Sequence, residues 1–308
     1  MLEIIKKIIS SRLIRFIFSA TLIYFAFRKI DVSKLLAELK VVPWWFVVGM
    51  LVYSLGTMFY GSWKWSLLLL DRVTFKDLLM FVKAGYMGMF YSLFFPTAVA
   101  GDLIKWMPLM KKYPEISKAR LASSVVMDRM IGLTAFSIVG LISLVAGKVL
   151  QYQFPDILLF LFGGLNLAIG VFYALVFTID FDKLFGKVKV LRRLLEMVGI
   201  LKAENKKRLF KCFVISLIGE PVWMAPFWLY SLIFGAGISL LQTYIFVPVI
   251  SLILILPISI AGFGARETLF LYFLEPLGFS PDKILLVSTF GGIIGVLNSL
   301  VGGIATLF

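Results

Sequence analysis

Leu256–Glu275 reads LPISIAGFGARETLFLYFLE. It follows the apolar run 240–257 without a polar loop. Pro257, Gly262 and Gly264 interrupt the helix, and Arg266 and Glu267 then place two charges in an otherwise apolar segment. Phe94–Pro108, FFPTAVAGDLIKWMP, repeats the design after the apolar run 76–95: a proline, a glycine, then Asp102 and Lys105. Broken backbone directly after a long apolar run predicts a re-entrant hairpin, two half-helices that dip into a bilayer and return to the side they left. Such backbone is tolerated in lipid only where protein or water covers it. Both segments carry Pro-x-x-x-Ala-Gly, at Pro96–Gly101 and Pro257–Gly262, about half the chain apart. Matching Gly/Pro-interrupted segments in two halves point to an internal repeat with a site between the halves.

The rest of the chain supports a membrane setting. Of 308 residues, 61% are hydrophobic and only 16% charged, against about 25% charged in a soluble domain. That excludes an ordinary soluble domain and a disordered chain. Cys212 is the only cysteine, so no internal disulfide forms. Histidine is absent, which removes histidine bases, catalytic triads and histidine-ligated metals. No cofactor or metal is expected. Further apolar runs at about 13–30, 43–70, 120–147, 155–179, 209–234 and 282–307 are long enough to span. The expected fold is therefore an all-α integral membrane protein: about six full transmembrane helices plus two re-entrant half-helix hairpins, arranged as an inverted repeat. It forms one polytopic domain, 1–308, with halves at about 1–180 and 209–308 joined by a basic loop, 180–211. The first apolar run reads as an uncleaved helix. Asp31–Lys40 reads as an interfacial helix ended before Pro43, and Trp44 and Trp45 mark an interface.

The net charge is +14. In a soluble protein this would suggest nucleic acid, but no nucleic-acid-binding pattern is present. The cations instead suit loops facing anionic lipid and the cytoplasm. The segments Lys183–Lys211 and Lys105–Arg120 are the most basic, which predicts that both are cytoplasmic. With both termini also inside, the two hairpins must enter from opposite faces.

Charges at membrane depth are costly unless paired or hydrated, so they mark functional candidates. These are Asp102 and Lys105 after the first break, Asp128 and Arg129 within LASSVVMDRMIGLTAF, Glu220 beside Pro221, and Arg266 and Glu267 after the second break. Mutual pairing that locks helices is the bland explanation. The sharper one is a headgroup site. Arginine presents a planar fork suited to phosphate, and half-helix N-termini add N–H donors. Arg129, Arg266 and Lys105 would bind the anion. Gly101, Gly262 and Gly264 would let backbone approach it. Asp102, Asp128, Glu220 and Glu267 would orient the cations or carry coupling protons.

Three motifs together, PTAVAGDLIKW, SSVVMDRMIGL and LPISIAGFGARETLF, resemble the pattern of the lysylphosphatidylglycerol synthase transmembrane-region family. The resemblance covers nearly the whole chain and extends to the flippase domain of the multiple peptide resistance factor. It implies a protein of a prokaryotic cytoplasmic membrane that moves phospholipids, aminoacylated phosphatidylglycerol among them, or lipid-linked phosphates between leaflets. Its partners would be those lipids and a lipid synthase or glycosyltransferase. Gly101-Asp102 matches the family's Gly-acidic pair, Asp128-Arg129 its acidic-Arg pair, and Gly262, Gly264, Arg266 and Glu267 its Gly-x-Gly-x-Arg-Glu element. Gly132 stands where many members have an acid. The chain ends at Phe308 in an apolar run, so lysine transfer from tRNA is not expected. Two rivals remain: a membrane enzyme acting on a lipid phosphate or polyprenyl-phosphate sugar, and a non-transporting partner of a lipid synthase. The first lacks an obvious nucleophile or base.

Overall fold

The computed structural model describes residues 40, 42–94, 98–179, 199–200, 202, 204–256 and 262–307. The expected first helix, nearly all of the interfacial helix, Pro96, Pro257 and most of the 180–211 loop lie outside these residues. The described part is all-helical. In chain order the helices are α1 (Trp44–Leu67), α2 (Phe75–Phe94), α3 (Ala98–Lys105), α4 (Met107–Lys112), α5 (Lys118–Val149), α6 (Ile157–Thr178), α7 (Lys206–Ile233), α8 (Leu240–Leu254), α9 (Ala265–Leu274) and α10 (Pro281–Leu307). Five of them, α1, α5, α6, α7 and α10, are long and apolar enough to cross a membrane. They match five of the six expected spans; the sixth is the run 13–30.

The surface of α6 shows why the chain belongs in lipid. Its buried residues are Leu158, Phe162, Ile169 and Val176, a single stripe. The remaining faces stay apolar, with Phe160 and Leu167 largely exposed. Water would penalise such a surface, whereas hydrocarbon does not.

Local sequence sets where helices start. Ser117 Oγ accepts from Arg120 N (3.2 Å) ahead of α5, and Asn205 Oδ1 accepts from Lys207 N (2.9 Å) ahead of α7. Ser239 and Gln242 form a reciprocal capping box on α8. Within α7, Pro226 cannot donate a backbone hydrogen bond, which strands the carbonyl of Val222. Tyr53 Oη of α1 donates to that carbonyl at 2.5 Å. A neighbouring helix thus repairs the break, as lipid burial requires.

Contacts at the helix ends fix the topology. At one end, Arg120 pairs with Glu204, and Arg208 pairs with both Glu204 and Asp71. The end of α1 and the starts of α5 and α7 therefore lie together, and we call this the basic end. Here Tyr113 Oη also donates to Asp77 Oδ1 (2.6 Å), which joins the exit of α4 to the entry of α2. The α2–α3–α4 segment thus starts and finishes at the basic end. Inside it α2 and α3 touch backbone to backbone: a Cβ on Gly101 would overlap the Gly88 carbonyl and Ser92 Oγ. At 20 residues, about 30 Å, the entering limb α2 is longer than the expected half-helix, while α3 has only eight residues.

The α8–α9 hairpin opens the other way. Helix α7 runs from the basic end to the far end, and α8 starts there. Helix α9 returns alongside α8, with Phe246 and Phe273 ring centroids 5.9 Å apart. Phe279, just after α9, lies 4.0 Å from the Cβ position of Gly237, just before α8. The turn into α9 is built on Gly262 and Gly264, both at φ +78, where other residues would be strained. The two hairpins therefore open toward opposite ends of the bundle. Between them the core is aromatic: Phe290 packs with Phe46 (5.9 Å), Tyr230 (5.1 Å) and Phe234 (5.4 Å).

Candidate functional site

Helices α1, α3, α5 and α7 bring charged side chains to one place inside the bundle. Arg129 sits eleven residues into α5, about 17 Å along it. Its Nε donates to Asp102 Oδ2 (2.6 Å) and its NH2 donates to Asp102 Oδ1 (2.9 Å). This bidentate pair occupies one edge of the guanidinium. Among the described residues the NH1 side meets no acceptor, and the Arg129 side chain is 62% exposed. Asp102 also faces Lys105 Nζ at 3.3 Å, one helical turn away on α3. Lys105 Nζ reaches Asp128 Oδ2 at 3.6 Å and lies 4.7 Å from the centre of the Trp65 ring. Trp65 is held by its Nε1–H donating to Ser124 Oγ at 3.0 Å.

Asp128 also pairs with Lys64, whose Nζ is 3.0 Å from Oδ1. Lys64 Nζ donates to Ser216 Oγ of α7, also at 3.0 Å. In sequence Lys64 stands out only as a cation at membrane depth between Trp63 and Trp65. Nothing local marks its partner, because Asp128 is on another helix. Ser216 gives no signal at all. Glu220 is one turn beyond Ser216 on α7 and interacts electrostatically with Lys64, Asp128 and Arg129. Among the described residues it makes no hydrogen bond or ion pair. No cation lies near it in sequence, yet the fold supplies two from α1 and α5.

Arg266 and Glu267 form a separate cluster at the start of α9. Arg266 NH2 lies 3.0 Å from Glu267 Oε1, and Arg266 stacks on Phe263 with its Cζ 5.3 Å from the ring centre. Glu267 is 1% exposed and accepts from Gly264 N (2.6 Å) and Ser288 Oγ (3.3 Å). Gly292 of α10 makes room for Arg266, since a Cβ there would overlap the guanidinium. Among the described residues no hydrogen bond or ion pair joins this cluster to the one around Arg129. Of the sequence candidates, the fold thus gathers Asp102, Lys105, Asp128, Arg129 and Glu220, and sets Arg266 and Glu267 apart. Gly101 serves the close contact with α2, while Gly262 and Gly264 serve the turn into α9. Among the described residues no group of acids and cysteines could hold a metal ion.

No curated protein and no solved structure matches the chain. A family model does, that of the lysylphosphatidylglycerol synthase TM region, over residues 12–302. The match spans all three motifs and every charged residue of both clusters, and the chain therefore belongs to the lysylphosphatidylglycerol synthase transmembrane-region family.

Proposed function

We propose that the chain translocates lipids with an anionic or aminoacylated phosphate headgroup, or a lipid-linked phosphate, between the leaflets of a prokaryotic cytoplasmic membrane. The observation that carries this is Arg129: a guanidinium clamped on one edge by Asp102 and, among the described residues, open on the other, well inside a membrane-length helix. A purely structural ion pair has no need of an open edge. A phosphate needs one, because its oxygens match the second side of the fork. The headgroup would pass through the charged interior while the acyl chains stay in lipid. The basic end, with Lys111, Lys112, Lys118, Lys206 and Lys207, would face the cytoplasm. The α2–α3 and α8–α9 hairpins would be re-entrant from opposite faces, giving the alternating access that inverted repeats provide. The enzyme that makes the lipid would be its partner, and no catalytic step is assigned to this chain. The test is reconstitution in liposomes with leaflet-specific labelling of several headgroups. Wild type should move phosphate-bearing lipids faster than protein-free vesicles do. Equal rates in both would refute transport.

A further inference from the structure

The cluster around Arg129 has an uneven charge count. Lys64, Lys105 and Arg129 supply three cations, and Asp102 and Asp128 supply two anions, each within ion-pair distance of two cations. The third anion is Glu220 on α7. It differs from the other two: it interacts with Lys64, Asp128 and Arg129 through space but forms no hydrogen bond or ion pair among the described residues. The groups around it from neighbouring helices are Tyr60 and Lys64 on α1, Asp128 and Arg129 on α5, and, across the cluster, Asp102 and Lys105 on α3. Tyr60 packs against Gly219 and donates to the carbonyl of Ile215 at 2.6 Å, so it braces the α7 backbone beside Glu220.

Net charge at membrane depth is expensive, so the cluster favours neutrality. With Glu220 ionised the six groups sum to zero. A phosphate monoanion entering beside Arg129 would make the total −1, and a proton on Glu220 would restore zero. We propose that Glu220 is the internal counter-ion of this site, set one helical turn beyond the Ser216 that binds Lys64, and that it takes up one proton on its carboxylate when an anionic lipid phosphate binds beside Arg129. The balance is simple: one proton passes from water to a carboxylate oxygen, and no lipid bond is made or broken. Release of the lipid on the other side returns the proton. The proposal rests on the headgroup function above and adds a thermodynamic link between phosphate binding and pH.

The experiment uses purified full-length protein in nanodiscs of phosphatidylcholine, titrated with fluorescent phosphatidylglycerol from about pH 5 to about pH 9, the range over which buried carboxylates titrate. Proton uptake is followed with an indicator in weak buffer. Wild-type affinity should fall about tenfold per pH unit once Glu220 is ionised, with about one proton taken up per lipid bound. Glu220→Gln should bind with a flat pH profile and no uptake. Glu220→Asp, which keeps an ionisable group, should retain the slope and covers the case in which the amide variant fails to fold. A flat wild-type profile, or an unchanged slope in Glu220→Gln, would overturn the counter-ion proposal while leaving the headgroup site standing. Phosphatidylglycerol binding no better than the phosphatidylcholine background would overturn both. Equal proton uptake with inorganic phosphate in place of lipid would overturn the lipid as the ligand.

Discussion

On the proposed function, replacing Arg129 and Arg266 by alanine should separate a ligand-binding arginine from a structural one. Removing Arg129 leaves Asp102 still 3.3 Å from Lys105, so no carboxylate is stranded. The lost pair lies at membrane depth with Asp102 only 12% exposed, but Asp102 keeps a cation, so the loss should fall short of the about 3–5 kcal/mol of a stranded buried charge. Arg129→Ala should therefore be less destabilised than Arg266→Ala but stop moving lipid. Arg129→Lys should rescue poorly, because a point charge cannot hold Asp102 and a phosphate on two edges of one plane. Arg266→Ala is different. Glu267 is 1% exposed and would keep only neutral donors, Gly264 N–H and Ser288 Oγ. Stranding a buried carboxylate costs about 3–5 kcal/mol. Its loss of transport should therefore track its loss of stability. The assays are thermal unfolding in detergent and flipping in proteoliposomes, on the same preparations. If Arg129→Ala is destabilised as much as Arg266→Ala, or flips lipid at the wild-type rate, the open-edge reasoning is wrong.

Tyr53→Phe should cost about 1–3 kcal/mol, since it leaves the Val222 carbonyl unpaired, and most of that cost should vanish in a Pro226→Ala background, where α7 can supply its own donor. Gly101→Val should cost about 1–3 kcal/mol or more by forcing α3 away from Gly88, read as a lower unfolding temperature. Asp77 is held below the usual carboxylate range, first by the Thr74 hydroxyl and then by Tyr113. That contribution is full above the ordinary carboxylate value of about 4 and fades as pH falls through the lowered one, so Asp77→Asn should flatten the acid side of the stability profile. Cysteines placed as Lys112→Cys and Glu275→Cys should label from opposite faces of the membrane, against a quiet background because Cys212 is buried.

The helices were legible because apolar runs of span length survive any packing detail. Asp102, Asp128 and Arg129 stood out for the same reason: a charge inside such a run has to be satisfied somewhere. What the sequence hides is which helix satisfies it. Lys64 and Asp128 are 64 residues apart in numbering and share no motif. Glu220 looks isolated because its two cations come from α1 and α5. Gly101 hides its neighbour in a different way. Gly101 follows a proline and precedes an acid, which suggests room for a ligand, yet that room is taken by the backbone of α2. A missing side chain says that something comes close without saying what.

The contact between α2 and α10 has a consequence for how the protein is made. Tyr86 Oη donates to Asn298 Oδ1 at 3.0 Å across 212 residues of chain, and Gly302 lies so close to the Tyr86 carbonyl that no side chain would fit. The early hairpin is thus completed by the last of the described helices to leave the ribosome. At about 5–20 residues per second, the polar hydroxyl of Tyr86 waits roughly 10–40 s in the membrane for its acceptor. During that interval the first half must be shielded by lipid, by the insertion machinery or by neighbouring α1. Slowing synthesis between α5 and α10, or truncating before Asn298, should therefore expose α2 to degradation even though its own sequence is intact.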